Sequence, residues 1–297
     1  MASPELQALI AELAGAEESE TLAQERRAWD QACAPLDPLP EVEITAVDAG
    51  GVPCLSFLPP RRQEGTILYC HGGAFVIGSS WHNRGMLSRL ALAASVRVIG
   101  VDYRLAPEAP FPAGLDDADT AYRWLLGSGV APGSVLLAGD SCGANLVLGV
   151  ALRSRQRGEA PAAALACLSP WVDLTLAGDS LTENRDLDPF ITRENLEFLS
   201  KLYLDGADAA DPAASPLFAD LEGLPPMLIQ VGSDEALLSD AVALCRRAEA
   251  AEVPARLEAV PEVVHVWQVW AGVVPESMAA LERVADFFGS KLRPDSA

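Results

Sequence analysis

Positive charge is scarce in this chain. Lys and Arg together number 21 against 42 Asp and Glu, which leaves a net charge of −21. Such a field repels nucleic acid and anionic membrane surfaces, so neither is expected as a partner. Histidine is scarcer still. The three present, His71, His82 and His265, lie far apart with no ligand spacing, and no metal or other cofactor is expected. Cysteine occurs six times, always singly, at Cys33, Cys54, Cys70, Cys142, Cys167 and Cys245. Without a C-x-x-C pair a zinc ribbon and a thioredoxin-like motif are excluded, and a disulfide framework is not expected. The chain has no Asn-X-Ser/Thr sequon, and no apolar run reaches the ~18 residues of a membrane span. Met1–Glu20 lacks a basic segment and does not read as a secretory signal. Buried, reduced thiols in a cytoplasmic enzyme are the expectation.

What is present is apolar and patterned. Half of the 297 residues are hydrophobic, enough for a large core in either two domains or one α/β domain with insertions. Leu6, Leu9, Ile10 and Leu13 carry the spacing of an amphipathic helix, and Pro35, Pro38 and Pro40 end any helix beyond it. Two alternating runs, Val42–Val47 and Val52–Leu58, flank Gly50-Gly51 and predict a hairpin. Short apolar runs then alternate with helical stretches. Strands are predicted at Thr66–Cys70, Arg97–Val101, Val135–Ala138, Ala164–Leu168 and Met227–Val231, with an edge strand at Arg256–Val260. Helices are predicted around Met86–Ala94, Leu115–Leu126, Gly143–Arg157, Asp240–Ala251 and Glu276–Leu292. Runs buried on both faces, each followed by a helix, imply a mostly parallel sheet covered by helices. The stretch from about Leu174 to Ala219 breaks this rhythm, with a helix near Glu194–Tyr203 and an acidic loop, and reads as an insertion over one end of the sheet.

Three segments carry chemistry. Gly139-Asp140-Ser141-Cys142-Gly143 follows a strand and precedes a helix, the setting of a nucleophile elbow. Its glycines clear space around a serine on a sharp turn, and the helix N-terminus faces developing negative charge. A capping role for Ser141 is the bland alternative. His71-Gly72-Gly73-Ala74-Phe75 places small residues where backbone N–H groups could hold an oxyanion, so Gly72, Gly73 and Cys142 are the predicted donors. His71 suits an orienting hydrogen bond better than the role of base, and His82 reads as a pocket or surface residue. His265, after the last strand, is the predicted base. The chain order serine, acid, histidine is that of α/β hydrolases.

These residues, with Asp102-Tyr-Arg-Leu-Ala-Pro-Glu108, Phe111-Pro-Ala113, Ser169-Pro-Trp171 and Leu224-Pro-Pro226, resemble the hormone-sensitive-lipase-like (family IV) carboxylesterases of the α/β-hydrolase fold. The resemblance implies a helical cap built from residues 1–40 and 174–219 over a catalytic core of 41–173 and 220–297; the apolar faces of these segments, such as Leu196, Phe198, Leu199 and Leu202, also need cover, so both are expected over the site with Phe190 or its neighbours touching substrate. It also implies hydrolysis of uncharged short- to medium-chain esters through an acyl-enzyme; long-chain lipase activity is not expected without a long apolar lid. Three positions depart from the family pattern: Cys142 stands for the usual Ala, Ala144 for a frequent Gly, and Ala74 for the third glycine of the oxyanion motif. Cys142 is not expected to act as the nucleophile. A non-catalytic receptor on the same fold would be expected to lose the histidine, whereas an amidase or deacetylase would use the same residues. A homodimer is left open.

The acid has three candidates: Asp234, Glu235 and Asp240. Counting three residues on from Gly232, or aligning Leu237 with the family's Asp-Pro-Leu leucine, selects Glu235, although the family norm is Asp. Asp234 suits a solvent-facing or capping role, and Asp240 suits the first turn of a helix.

Overall fold

A computed structural model, describing residues 2–15 and 21–292, arranges the apolar runs as one sheet. The chain begins with α1 (Pro4–Ala14) and α2 (Leu22–Cys33), then the hairpin β1 (Glu43–Asp48) and β2 (Pro53–Leu58). There follow β3 (Thr66–Cys70), α3 (Arg84–Ala94), β4 (Arg97–Val101), α4 (Ala113–Gly127), β5 (Val135–Asp140) and α5 (Cys142–Gln156). After β6 (Ala164–Leu168) come the short α6 (Ser180–Glu183) and α7 (Arg193–Leu204). The chain closes with β7 (Met227–Gly232), α8 (Leu238–Ala250), β8 (Ala255–Val260) and α9 (Pro275–Gly289). Spatial order in the eight-stranded sheet is β1-β2-β4-β3-β5-β6-β7-β8; β4 to β8 run parallel, and the hairpin is antiparallel at one edge. No helix among the described residues is long and apolar enough to cross a membrane.

Strand periodicity sorts side chains onto the two faces. In β3, Leu68 and Cys70 face α4, α5 and α8, while Ile67 and Tyr69 face α3 and α9. In β5, Val135 and Leu137 alternate with Leu136 and Ala138 in the same way. Each large aliphatic residue removed from water contributes about 1.5–3 kcal/mol. The outer strands β1 and β8 are half exposed, as edge strands are. At the C-terminal ends of β3, β5 and β7, and just after β8, the chain leaves the sheet on one rim, where α/β proteins build their sites.

The two helices of the N-terminal segment sit in different places. A helix forms over Pro4–Ala14, but its Leu6 and Leu9 pack on Val263, Trp267 and Ala280, and Ser3 bonds Glu276 of α9 through its N–H (2.7 Å) and hydroxyl (2.8 Å). This helix therefore packs between α9 and the loop that carries His265, and its Gln7 and Ile10 share a cavity with Asp188 and Glu235. α2 lies over the rim. Arg26 pins it there, donating to the carbonyls of Val76 (2.9 Å) and Ala106 (3.0 Å) and pairing with Glu108 (2.7 Å).

Candidate active site

Ser141 stands between β5 and α5 at φ 52° and ψ −122°, a backbone conformation that costs a non-glycine residue about 1–3 kcal/mol. Neighbours hold it there. Its N–H donates to the Leu168 carbonyl (2.8 Å), and its carbonyl accepts from Ala144 and Trp171 (each 3.1 Å). The flanking glycines are required by space: a Cβ on Gly143 would strike the Cys70 carbonyl, and one on Gly139 would strike Gly143.

His265 Nε2 lies 3.0 Å from Ser141 Oγ, and its Nδ1 lies 2.9 Å from Glu235 Oε2. All three side chains are buried. The other oxygen of Glu235 accepts from the Gly232 N–H (2.6 Å) and the Ser169 hydroxyl (2.8 Å), and Ser169 Oγ accepts in turn from the Val266 N–H (3.1 Å). Ser169 thus ties the acid to the loop bearing His265. Its motif, Ser-Pro-Trp, is visible in the sequence, but its partner lies 66 residues away. Burial opposes the charged form of His265, yet Glu235, with Asp188 and Asp140 beyond it, outweighs burial and raises its pKa above 6.5.

The other candidates fall elsewhere. Asp234 takes the Ser233 hydroxyl (3.1 Å) and makes no hydrogen bond to His265 among the described residues. Asp240 sits in the first turn of α8, but it is buried and accepts the N–H groups of Val172 and Asp173 (both 2.9 Å). Burial pushes its pKa up to about 7. His71 is buried, stacks on Tyr103 at 4.3 Å and bonds the Gly72 carbonyl (2.7 Å); burial lowers its pKa to about 4. His82 bridges Ser79 (2.8 Å) and Asp30 of α2 (2.7 Å).

The glycine loop corrects one expectation. The Gly72 N–H donates to Asp140 Oδ1 (2.9 Å), so it is not a free oxyanion donor. A buried carboxylate needs donors, and Asp140 gathers Gly72, the Tyr69 hydroxyl (2.5 Å) and Asn83 (3.3 Å). The chain then bends through positive φ at Gly73 (114°), Ala74 (52°) and Phe75 (65°), which brings Gly73 and Ala74 beside Ser141. Cys142 opens α5, where the first N–H groups of a helix have no intrahelical acceptor. Its thiol accepts from the Phe75 N–H (3.1 Å) and is pushed up to about 12 by burial, so it stays protonated and serves the loop as an acceptor. Cys142→Ala would leave that buried N–H unpaired. A stability loss of about 1–3 kcal/mol in denaturant titration is expected, with the serine chemistry retained. An inactive but stable variant would contradict this role.

Above Ser141 is a cavity of about 70 Å³. Trp29 and Glu25 from α2 close one side, Phe190, Leu196 and Leu199 from the segment around α7 another, and Trp171 completes the lining. The Phe190 ring lies 6.1 Å from His265 and 6.0 Å from Trp29.

Known proteins resemble this chain in sequence and fold. The family described as alpha/beta hydrolase fold matches residues 67–269. An acetyl-hydrolase of Streptomyces hygroscopicus is 40% identical over 292 residues, covering 97% of each chain. An esterase of Acinetobacter venetianus is 38% identical over 263 residues, 88% of this chain and 87% of that one. Among solved structures, an esterase from the bacterial hormone-sensitive lipase family superposes with a TM-score of 0.95 at 42% identity, covering 99% of this chain and 100% of the other. Another, the esterase EstE5 soaked with p-nitrophenyl butyrate, does so with a TM-score of 0.93 at 36% identity, covering 98% and 99%. A serine strained between strand and helix, a histidine at its hydroxyl and a carboxylate behind the histidine come with matches along nearly the whole chain: this protein belongs to the α/β-hydrolase family, among the esterases of the hormone-sensitive-lipase type.

Proposed function

We propose that the protein is a carboxylesterase that hydrolyses small, uncharged acyl esters, with Ser141, His265 and Glu235 as its triad. The unbroken chain from Ser141 Oγ to His265 (3.0 Å) to Glu235 (2.9 Å) carries this reading. Ser141 Oγ attacks the ester carbonyl carbon as His265 Nε2 takes its proton, and Glu235 offsets the charge of the imidazolium. The N–H groups of Gly73 and Cys142, with Ala74 as the third, hold the oxyanion at the positive end of α5. Collapse of the tetrahedral intermediate expels the alcohol, which receives the proton from His265. Water, activated by the same histidine, then frees the acid and regenerates Ser141.

Helices α2 and α7 form the cap, and Phe190 contacts the bound ester. The cavity's small volume and apolar lining favour short acyl chains. Across p-nitrophenyl esters, kcat/KM is therefore expected to fall from butyrate to decanoate. A fluorophosphonate should add one phosphonyl group, located by peptide mass at Ser141. Labelling anywhere else, or none, removes the reading.

The pH dependence follows from the base. His265 must be neutral to accept the serine proton, and its neighbours hold its pKa above 6.5. Activity is therefore expected to rise with pH through a limb centred above pH 6.5 and to be lost as pH falls through it. A kcat/KM profile for p-nitrophenyl acetate that stays flat down to pH 5 would exclude His265 as the base.

A further inference from the structure

Residues 180–191, which lead into α7, are stitched to the turn that carries Glu235. The Ser180 hydroxyl donates to the Ala236 carbonyl (2.6 Å) and accepts from the Ser239 N–H (2.9 Å). The Asn184 amide donates to the carbonyls of Ser233 (3.1 Å) and Glu235 (2.8 Å). Asp188 completes the seam. Its Oδ1 accepts from the N–H groups of Phe190 (2.9 Å) and Ile191 (3.0 Å), and its Oδ2 accepts from the Ala236 N–H (2.8 Å).

Asp188 is buried, and a buried carboxylate is costly unless it is well bonded. Ser180 and Asn184 already join the two segments with neutral groups. Asp188 differs from them by placing a charge beside a buried acid–histidine pair, where low polarity lets it act over several ångströms.

We propose that Asp188 is a positioning residue for hydrolysis: it seats Phe190 over His265, and its charge favours the imidazolium that forms as Ser141 loses its proton. The inference rests on the triad reading above. One carboxylate joins the two effects because its Oδ1 fixes the turn that presents Phe190 while its Oδ2 holds the residue next to Glu235. The charged groups acting on His265 are Glu235 from the acid turn, Asp140 from the end of β5 and Asp188 from the cap side. Asp188 itself shares its cavity with Asp234, Glu235 and Glu262.

Removing one negative charge from this set lowers the affinity of His265 for a proton. In Asp188→Asn the acidic limb of the kcat/KM profile is expected to move down by roughly half a pH unit or more. In the same variant kcat should fall by about tenfold, since the imidazolium is then less well supported in the transition state. Asp188→Glu keeps the charge and should leave the limb where the wild type has it, whatever its kcat. Should Asp188→Asn fail to fold, Asp188→Ser is the neutral variant, because its hydroxyl can still bond the N–H groups of the 190–191 turn. A limb unmoved in the neutral variant, or moved equally in Asp188→Glu, overturns the inference and leaves the triad reading standing. Wild-type protein that fails to take the fluorophosphonate at Ser141 overturns the reading beneath it instead.

Discussion

Ser141→Ala is expected to lower kcat for p-nitrophenyl butyrate by about 10⁶, with the folded protein unchanged. Among the described residues, no other group lining the cavity replaces the hydroxyl. The Cys142 thiol is the adjacent nucleophile by sequence, but burial pushes it up to about 12 and its sulfur already accepts the Phe75 N–H. His71 is buried and occupied by the Gly72 carbonyl. The backbone strain at φ 52° is borne by alanine much as by serine, and the bonds holding the elbow run through the Ser141 N–H and carbonyl. Melting temperature should therefore shift little. A residual rate of roughly 10³ over water is expected, because the oxyanion donors remain. Steady-state hydrolysis within about tenfold of wild type would sink the serine mechanism.

Glu235→Gln is expected to reduce kcat by about 10⁴, whereas Asp234→Asn should stay within about twofold of wild type. The hydrogen bonds dictate how glutamine would sit. Two donors, the Gly232 N–H and the Ser169 hydroxyl, point at Glu235 Oε1, so the amide oxygen must take that place. The amide NH₂ then faces His265 Nδ1 and donates to it. The imidazole is left with its proton on Nε2, directed at Ser141 Oγ, and can no longer accept from the serine. Asp234 has no such position, since its carboxylate takes the Ser233 hydroxyl. Near-wild-type turnover in Glu235→Gln, with a collapse in Asp234→Asn, would reverse the assignment of the acid.

Much of the frame was legible in the residues because it depends on local constraints. Fully buried strands such as Val135–Asp140 read as continuous apolar runs, and the half-exposed β8 read as an edge from its alternation. The setting of Ser141 between strand and helix was legible for a steric reason, since glycines are needed wherever backbone passes as close as Gly143 does to Cys70. Counting from Gly232 reached the carboxylate that hydrogen-bonds His265 among the described residues, because a strand end and a short turn leave little freedom in where the third residue points.

What tertiary structure alone decided concerns partners distant in the chain. An amphipathic pattern shows that Leu6 and Leu9 need burial, but not that Trp267 and Ala280 supply it. A glycine motif shows that the backbone can approach closely, but not where each N–H points. Asp140, 68 residues further on, claimed that of Gly72. Ser169 belongs to a legible motif and Asp188 to none, yet the partners of both are donors and acceptors brought from distant segments. Hydrogen bonds are short and directional, so their pairing is settled by where distant segments come to rest, whereas hydrophobic burial needs only the right period and is written along the chain itself.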